Sequence, residues 1–434
     1  MGLTLIPANL HAQESGISEA IIKPVGNWEL SSLFDISGLE LEQYPHFFTI
    51  FNARWDPVKQ DKNGWINIER KRGTADVSAY GAYARSFFIC QDQLNCGFNI
   101  EFSEEICVFL NGKLIIRKEN KPGNPSGPIK IEAVAHRGLN ELFIFIISRS
   151  TDWKFRILSS QVLAPLPSDH SVARITWETE ATMLTPESAI YDPENEIYYV
   201  SNYDYMYYTK GYPTGYVSKV SPDGKIVELE WIRGLFAPTG LCVVGNKLYI
   251  VVRNGVVVVD TRKGNYISQY DVPDAVFLND ITADSLGRIY ITDSSTDPAK
   301  PDIYIIENKQ IKPWLQSDAI SNANGIYEYH GKLLVGNNGE GLFQAINIKD
   351  KSIETICSLG PGTIDGIRID NHGNWLVSHW EGKIFRISGS GMITEIFDSG
   401  PKDYNTADFE FSAESNTIII PTFLGNKVTA LKIN

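Results

Sequence analysis

The second half of the chain repeats itself. Segments with the same strand–turn–strand pattern open at Glu187 (ESAIYDPENEIYYVSN), Thr239 (TGLCVVGNKLYIV), Asn279 (NDITADSLGRIYITDS), Asn324 (NGIYEYHGKLLVGNN), Asp365 (DGIRIDNHGNWLVSHW) and Ala407 (ADFEFSAESNTIIIPT). Their starts lie 52, 40, 45, 41 and 42 residues apart. Two apolar strands joined by a turn such as DPEN, DSLG or NHG are followed by a third, as in GVVVVD or KIFRIS, and usually by a fourth. That period and content give one four-stranded blade per repeat. The sixth copy ends at its third strand, and VARITWETE at 172–180 is the expected donor of the fourth. Such a closure completes a ring and removes the sheet edges. The expectation is an all-β chain whose residues 172–434 form a six-bladed β-propeller.

In such a ring the first residues of the inner strands surround one mouth of the central channel. The second strands return to that mouth, so SNYD, TDSS, GNNGE and SHWEG are expected at its rim. Glu187, Asn279, Asn324 and Asp365 then face one another: two carboxylates and two amides, with no Cys or His. This is a hard oxygen set, suited to calcium, magnesium or manganese over a soft-ligand zinc site. The two negative charges balance a divalent cation; without one they repel, and one carboxyl tends to hold its proton. Asn-Gly and Asp-Gly pairs also make tight turns. Four equivalent positions in register favour the cation reading.

Residues 180–434 resemble the senescence marker protein / gluconolactonase / luciferin-regenerating enzyme family. The matching elements are PES at 186–188, LND at 278–280, ANG at 323–325 and IDG at 364–366, each followed by its strand–turn–strand. The resemblance implies that Glu187, Asn324 and Asp365 hold one divalent cation, calcium foremost, with magnesium, manganese and zinc as alternatives. It implies that Asn279 contacts substrate or lies beside the metal, and that Asp365 is the favoured general base. The implied chemistry is hydrolysis of a lactone or ester of a sugar-like small molecule, the cation polarising the carbonyl. Sugar-lactonase members carry an Arg two positions before the third-blade Asn. Here that position is Phe277, which points to a less polar substrate, a different activity or a core residue.

Two further rim features are candidates for substrate contact. The insertion YDYMYYTKGYPT at 203–214 carries Tyr203, Tyr205, Tyr207, Tyr208 and Tyr212, which either stack on a substrate or pack on one another. His379 ends the second strand of blade five, placed either for acid–base work or for a structural role.

The first half lacks the repeat. Residues 24–162 show short alternating strands and the hairpin signal Asn111-Gly112 in ICVFLNGKLIIRK. They are expected to form a β-sandwich, and GNWELS, FLNGK and GLNELF resemble a galactose-binding-like jelly roll. Trp28, Trp55, Trp65 and Trp153 are there either as a sugar platform or as core aromatics. LAPLPSDH marks a linker at 163–171. Residues 1–23 resemble the tail of a secretory signal, which suggests an exported protein.

The net charge of −13, from 39 basic and 52 acidic residues, argues against nucleic-acid binding. The apolar runs are strand-sized, too short for a membrane-spanning helix. The five cysteines are sparse and odd in number, so they make no disulfide framework, although Cys90 and Cys96 can pair in an exported chain. No serine nucleophile elbow, HExxH or phosphate loop occurs. The expected partner is a small-molecule substrate. The alternatives are a non-catalytic propeller binding a protein or glycan, and another metal-dependent hydrolase or lyase on the same fold.

Overall fold

The computed structural model describes residues 23–36, 39, 41–45, 53–68, 80–120, 127–148, 153–208, 210–320, 322–400 and 405–434. The signal-like reading of the N-terminus falls outside them except at Lys23, as do the side chains of Tyr207 and Tyr208. Among the described residues the chain is all-β, with only short helical turns at Tyr205–Tyr208, His170–Val172 and Phe423–Gly425. No helix there is long and apolar enough to cross a membrane.

The first half folds as two sheets. One orders Lys23–Pro24, Lys154–Ser159, Leu94–Phe102 and Ile129–Ala135. The other contains Trp55–Val58, Trp28–Ser31, Tyr80–Cys90, Gly138–Ser148, Glu105–Leu110 and Lys113–Glu119. Alternate residues of Leu94–Phe102 (Cys96, Phe98, Ile100 and Phe102) share one core with Ile106, Val108, Leu142, Ile144 and Ile146 of the second sheet. The odd residues of that sheet, Cys107, Phe109, Phe143 and Phe145, are covered on the other face by Phe34, Ile36, Leu41 and Tyr44. Burial on both faces explains why ICVFL and LFIFII are unbroken apolar runs. Trp28 and Trp153 lie in the inter-sheet core, and all five cysteines are buried thiols.

The second half forms six four-stranded blades among the described residues. Their inner strands are Pro186–Asp192, Leu241–Val244, Leu278–Ala283, Ala323–Tyr329, Gly362–Ile369 and Glu410–Ser412. The sixth blade takes its outer strand from Ala173–Glu178, which pairs antiparallel with Lys427–Ile433. The expected closure is therefore present.

The two halves are stitched together. Gly138 and Leu139 pair in parallel with Ser358 and Leu359, the outer edge of blade 4. Leu139 enters the propeller core beside Phe343 and Leu359. Gly138 has φ +102°, and a Cβ there would stand 2.3 Å from the Ser358 carbonyl oxygen, so only glycine fits. Residues 163–171 touch both halves: Ile89 N donates to Ala164 O at 2.8 Å, and Glu395 N to Pro167 O at 2.9 Å.

Arg85 lies at this junction, 2.8 Å from Glu29 and 3.6 Å from Glu381 of blade 5. Glu141 is buried beside it and accepts from the Tyr44 hydroxyl. Burial pushes the Glu141 carboxyl from its ordinary 4.5 up to about 7, against the pull of Arg85 and Tyr44. Between those values the folded chain holds a proton that the unfolded chain releases. Stability from this group is thus full below pH 4.5 and declines as pH rises through about 7. Urea unfolding across that range is expected to lose roughly 1–3 kcal/mol from this source. Glu141→Gln should flatten that part of the profile; an unchanged slope would remove Glu141 as its origin.

Candidate functional site

In four blades the register shifts by one residue near the start of the inner strand. Pro186 faces Asn202 but Ser188 faces Ser201. Leu278 faces Asp293 but Ile281 faces Ile291, and Ala323 faces Asn337 but Ile326 faces Val335. Ile364 faces His379 but Ile367 faces Val377. The residues inside these bulges include Glu187, Asn279, Asn324 and Asp365. An extra residue bends the strand and re-aims its side chain. It also frees a backbone amide, and the second strand supplies a hydroxyl in compensation. Ser188 N donates to Ser201 Oγ at 3.0 Å, Asp280 N to Thr292 Oγ1 at 3.0 Å, and Gly366 N to Ser378 Oγ at 2.7 Å.

Neighbouring blades then meet directly at this level. Thr239 Oγ1 donates to Asn279 O at 2.6 Å, and Thr292 Oγ1 to Asn324 O at 2.6 Å. A Cβ on Gly325 would lie 1.6 Å from Asp365 O. Asp408 N donates to Glu187 O at 3.1 Å, which closes the circle.

Glu187, Asn279, Asn324 and Asp365 are only 6%, 6%, 5% and 2% exposed. Glu187 Oε2, Asn279 Oδ1, Asn324 Oδ1 and Asp365 Oδ1 are buried with no hydrogen-bond partner. Burial pushes both carboxyls well above their ordinary range, and the negative charge of Asp365 adds to this at Glu187. Asp408 and Asp280 raise both further. An unsatisfied buried polar group costs about 1–3 kcal/mol, so four such oxygens at equivalent positions of the ring make this level the candidate site.

The other buried acids nearby are satisfied by the protein itself. Asp280 accepts from Ile326 N and Ile281 N, each at 2.7 Å. Asp408 accepts from Ser188 Oγ at 2.6 Å and lies 3.4 Å from the Arg368 guanidinium. Glu410 lies 3.5 Å from Arg368 and accepts from Phe411 N at 2.7 Å. Two roles thus separate among the acids. Glu187 and Asp365 carry oxygens without partners, while Asp280, Asp408 and Glu410 are structural. No three His, Cys, Asp or Glu residues form a metal-sized group among the described residues. An oxygen site here therefore needs the two amides as well as the two carboxylates.

Above this level the rim is aromatic. Tyr203, Phe277, Trp380 and Phe423 pack together with Ala237. This brings Phe277 and Tyr203 to one place, whereas Tyr205 and Tyr212 are exposed. His379 lies elsewhere on blade 5. Its ring packs where any Cβ on Gly362 would stand, and Nε2 is 3.4 Å from Gly360 O. Burial holds its imidazole below the ordinary range, and Nδ1 has no partner.

The repeat alignment did not flag Phe423, Arg368 or the hydroxyls of Ser201, Thr292 and Ser378. The hydroxyls had a signal, the Ser or Thr recurring in YVSN, ITDS and LVSH.

Residues 185–418, just over half of the chain, match the SMP-30/Gluconolactonase/LRE-like region. The chain belongs to this family. No curated protein matches it. Among solved structures it is similar to a catalytically inactive virginiamycin B lyase from Staphylococcus aureus with quinupristin. That likeness has 15% identity and a TM-score of 0.46, and covers 60% of this chain and 100% of that one. A luciferin-regenerating enzyme shares 15% identity at a TM-score of 0.44, over 60% of this chain and 95% of that one. Likenesses at this level carry no inference about chemistry. The SMP-30/gluconolactonase/LRE-like match spans all four bulges and the acids beneath them.

The Arg368 guanidinium is buried with Asp408 and Glu410. Arg368→Met would leave two buried acids without their cation and is expected to cost about 3–5 kcal/mol in urea unfolding. A loss below about 1 kcal/mol would mean that the pairing contributes little.

Proposed function

We propose that this protein is a divalent-metal-dependent hydrolase of a small-molecule lactone or ester. The observation that carries the reading is the set of four buried, partnerless oxygens on Glu187, Asn279, Asn324 and Asp365. Two carboxylates and two carboxamide oxygens are the donor chemistry of a hard dication, calcium foremost. Membership of the SMP-30/gluconolactonase/LRE-like family supports hydrolysis as the reaction class.

Glu187, Asn324 and Asp365 would hold the cation. When bound, a divalent cation supplies Lewis-acid polarisation of the substrate carbonyl. Asn279 has both a donor and an acceptor on its carboxamide with which to orient substrate. Asp365 takes a proton from the attacking water and returns one to the departing alkoxide, so water adds across the acyl carbon–oxygen bond. Burial at this level limits bulk water and strengthens each of these interactions. The expected sugar-like substrate is tested by the same experiment.

Metal-stripped protein is expected to hydrolyse none of a panel of aldonolactones and simple lactones in a pH-stat. Calcium, magnesium, manganese or zinc should restore turnover to different degrees. Glu187→Gln and Asp365→Asn should both weaken calcium binding by calorimetry. At saturating calcium, Asp365→Asn should lose about 10²-fold or more in kcat, the scale of a general base. Full metal-dependent turnover by Asp365→Ala would sink the role given to Asp365. Calcium binding without turnover on any lactone would leave a non-catalytic binding platform as the better reading.

A further inference from the structure

Main-chain hydrogen bonds hold the rim aromatics just above the oxygens. Tyr203 N donates to Thr185 O at 3.0 Å, two residues before Glu187. Phe277 stands two residues before Asn279, and its carbonyl accepts from Ser294 N at 2.8 Å. Trp380 N donates to Thr363 O at 2.8 Å, two residues before Asp365. Phe423 follows Pro421, whose carbonyl accepts from Ala407 N at 3.2 Å.

These four side chains belong to blades 1, 3, 5 and 6, yet they touch. Ring centroids are 6.2 Å apart for Tyr203 and Phe277, 5.9 Å for Tyr203 and Phe423, and 4.9 Å for Trp380 and Phe423. Blades 1 and 3 are not neighbours in the ring. A contact between Tyr203 and Phe277 means that the side chains lean over the mouth. All the pairs are tilted, with interplanar angles of 53–60°. The four rings therefore meet at several orientations over the mouth, Tyr203 and Phe423 buried and Phe277 and Trp380 partly exposed. The clustered side chains are aromatic or apolar, with the Tyr203 hydroxyl and the Trp380 indole N–H as their polar groups.

The geometry points to Tyr203, Phe277, Trp380 and Phe423 as specificity-determining residues that select a lactone or ester bearing an aromatic or similarly flat apolar group. This rests on the hydrolase reading of the oxygen site and adds its substrate class. The flat group replaces the aromatic side chains' contacts with one another, and its carbonyl reaches down toward Glu187 and Asp365. A polyhydroxylated lactone would have to leave most of its hydroxyls against ring faces that cannot satisfy them.

The test uses calcium-loaded protein and four probes: dihydrocoumarin and phenyl acetate as aromatic substrates, δ-valerolactone and glucono-δ-lactone as non-aromatic ones. The kcat/KM ratio of dihydrocoumarin to δ-valerolactone is expected to exceed about 10. It should fall about tenfold in Phe277→Leu or Trp380→Leu, which keep apolar bulk but remove the ring face. Turnover that favours glucono-δ-lactone, or a ratio unmoved in both variants, would overturn the assignment and leave the hydrolase reading intact. Saturation-transfer NMR with coumarin separates the two ideas if no probe is hydrolysed. Coumarin binding weakened by the same variants supports the aromatic mouth independently of catalysis. Coumarin binding that both variants leave unchanged overturns it.

Discussion

One extra residue in an inner strand is a small change with large consequences here. Each bulge turns a side chain that would otherwise follow strict alternation, and frees an amide that a hydroxyl from the next strand must take up. Ser201, Thr292 and Ser378 do this in blades 1, 3 and 5. In blade 4 the equivalent position is Gly325, where any side chain would strike the Asp365 carbonyl. The oxygen cluster thus follows from backbone geometry that the rest of each blade enforces. It is held by rigid strands rather than by loops, which is what a precise binding constellation requires.

The electrostatics are ordered along the channel. Arg368 is buried with Asp408 and Glu410, and Asp280 is satisfied by two backbone amides. The protein thereby neutralises or solvates its own deeper acids and leaves Glu187 and Asp365 without such help. Buried carboxylates that merely brace a fold are normally hydrogen-bonded. Two that are not, joined by two equally orphaned amide oxygens, set this level apart from the structural polarity around it. The aromatic layer above them is the reverse case, a set of rings packed on one another.

The repeat made the propeller legible, because a period near forty residues admits few architectures and the truncated sixth copy demanded a donor strand. It also located the four oxygen-bearing positions, since equivalent residues of a ring must converge. Register was not legible. A one-residue shift leaves no mark in an apolar pattern, so the bulges appear only with the strand pairing, although the Ser or Thr of their hydroxyl partners recurs in YVSN, ITDS and LVSH. Phe423 was missed because it follows its strand in a helical turn outside the aligned repeat, and it meets Tyr203 only by closure of the ring. Arg368 lay unnoticed within DGIRID because its partners, Asp408 and Glu410, come from the next blade. His379 stands at the strand end that the repeat predicts, but the side to which its ring turns depends on the space left by Gly362, which periodicity does not encode.

The sandwich bears on the site through the same backbone. It pairs with the outer edge of blade 4 at Gly138, and Arg85 reaches Glu381 of blade 5. Blades 4 and 5 are the ones that carry Asn324 and Asp365, and they are themselves joined where Asn338 and Gly339 pair with Thr363 and Gly362. Trp380 is the residue before Glu381, so a single peptide links the junction to the aromatic mouth. Rigid elements transmit displacement because packed interiors have little slack. The N-terminal half therefore meets blade 5 through Arg85 and Glu381, one residue along the chain from Trp380, which makes it part of the frame that carries the mouth.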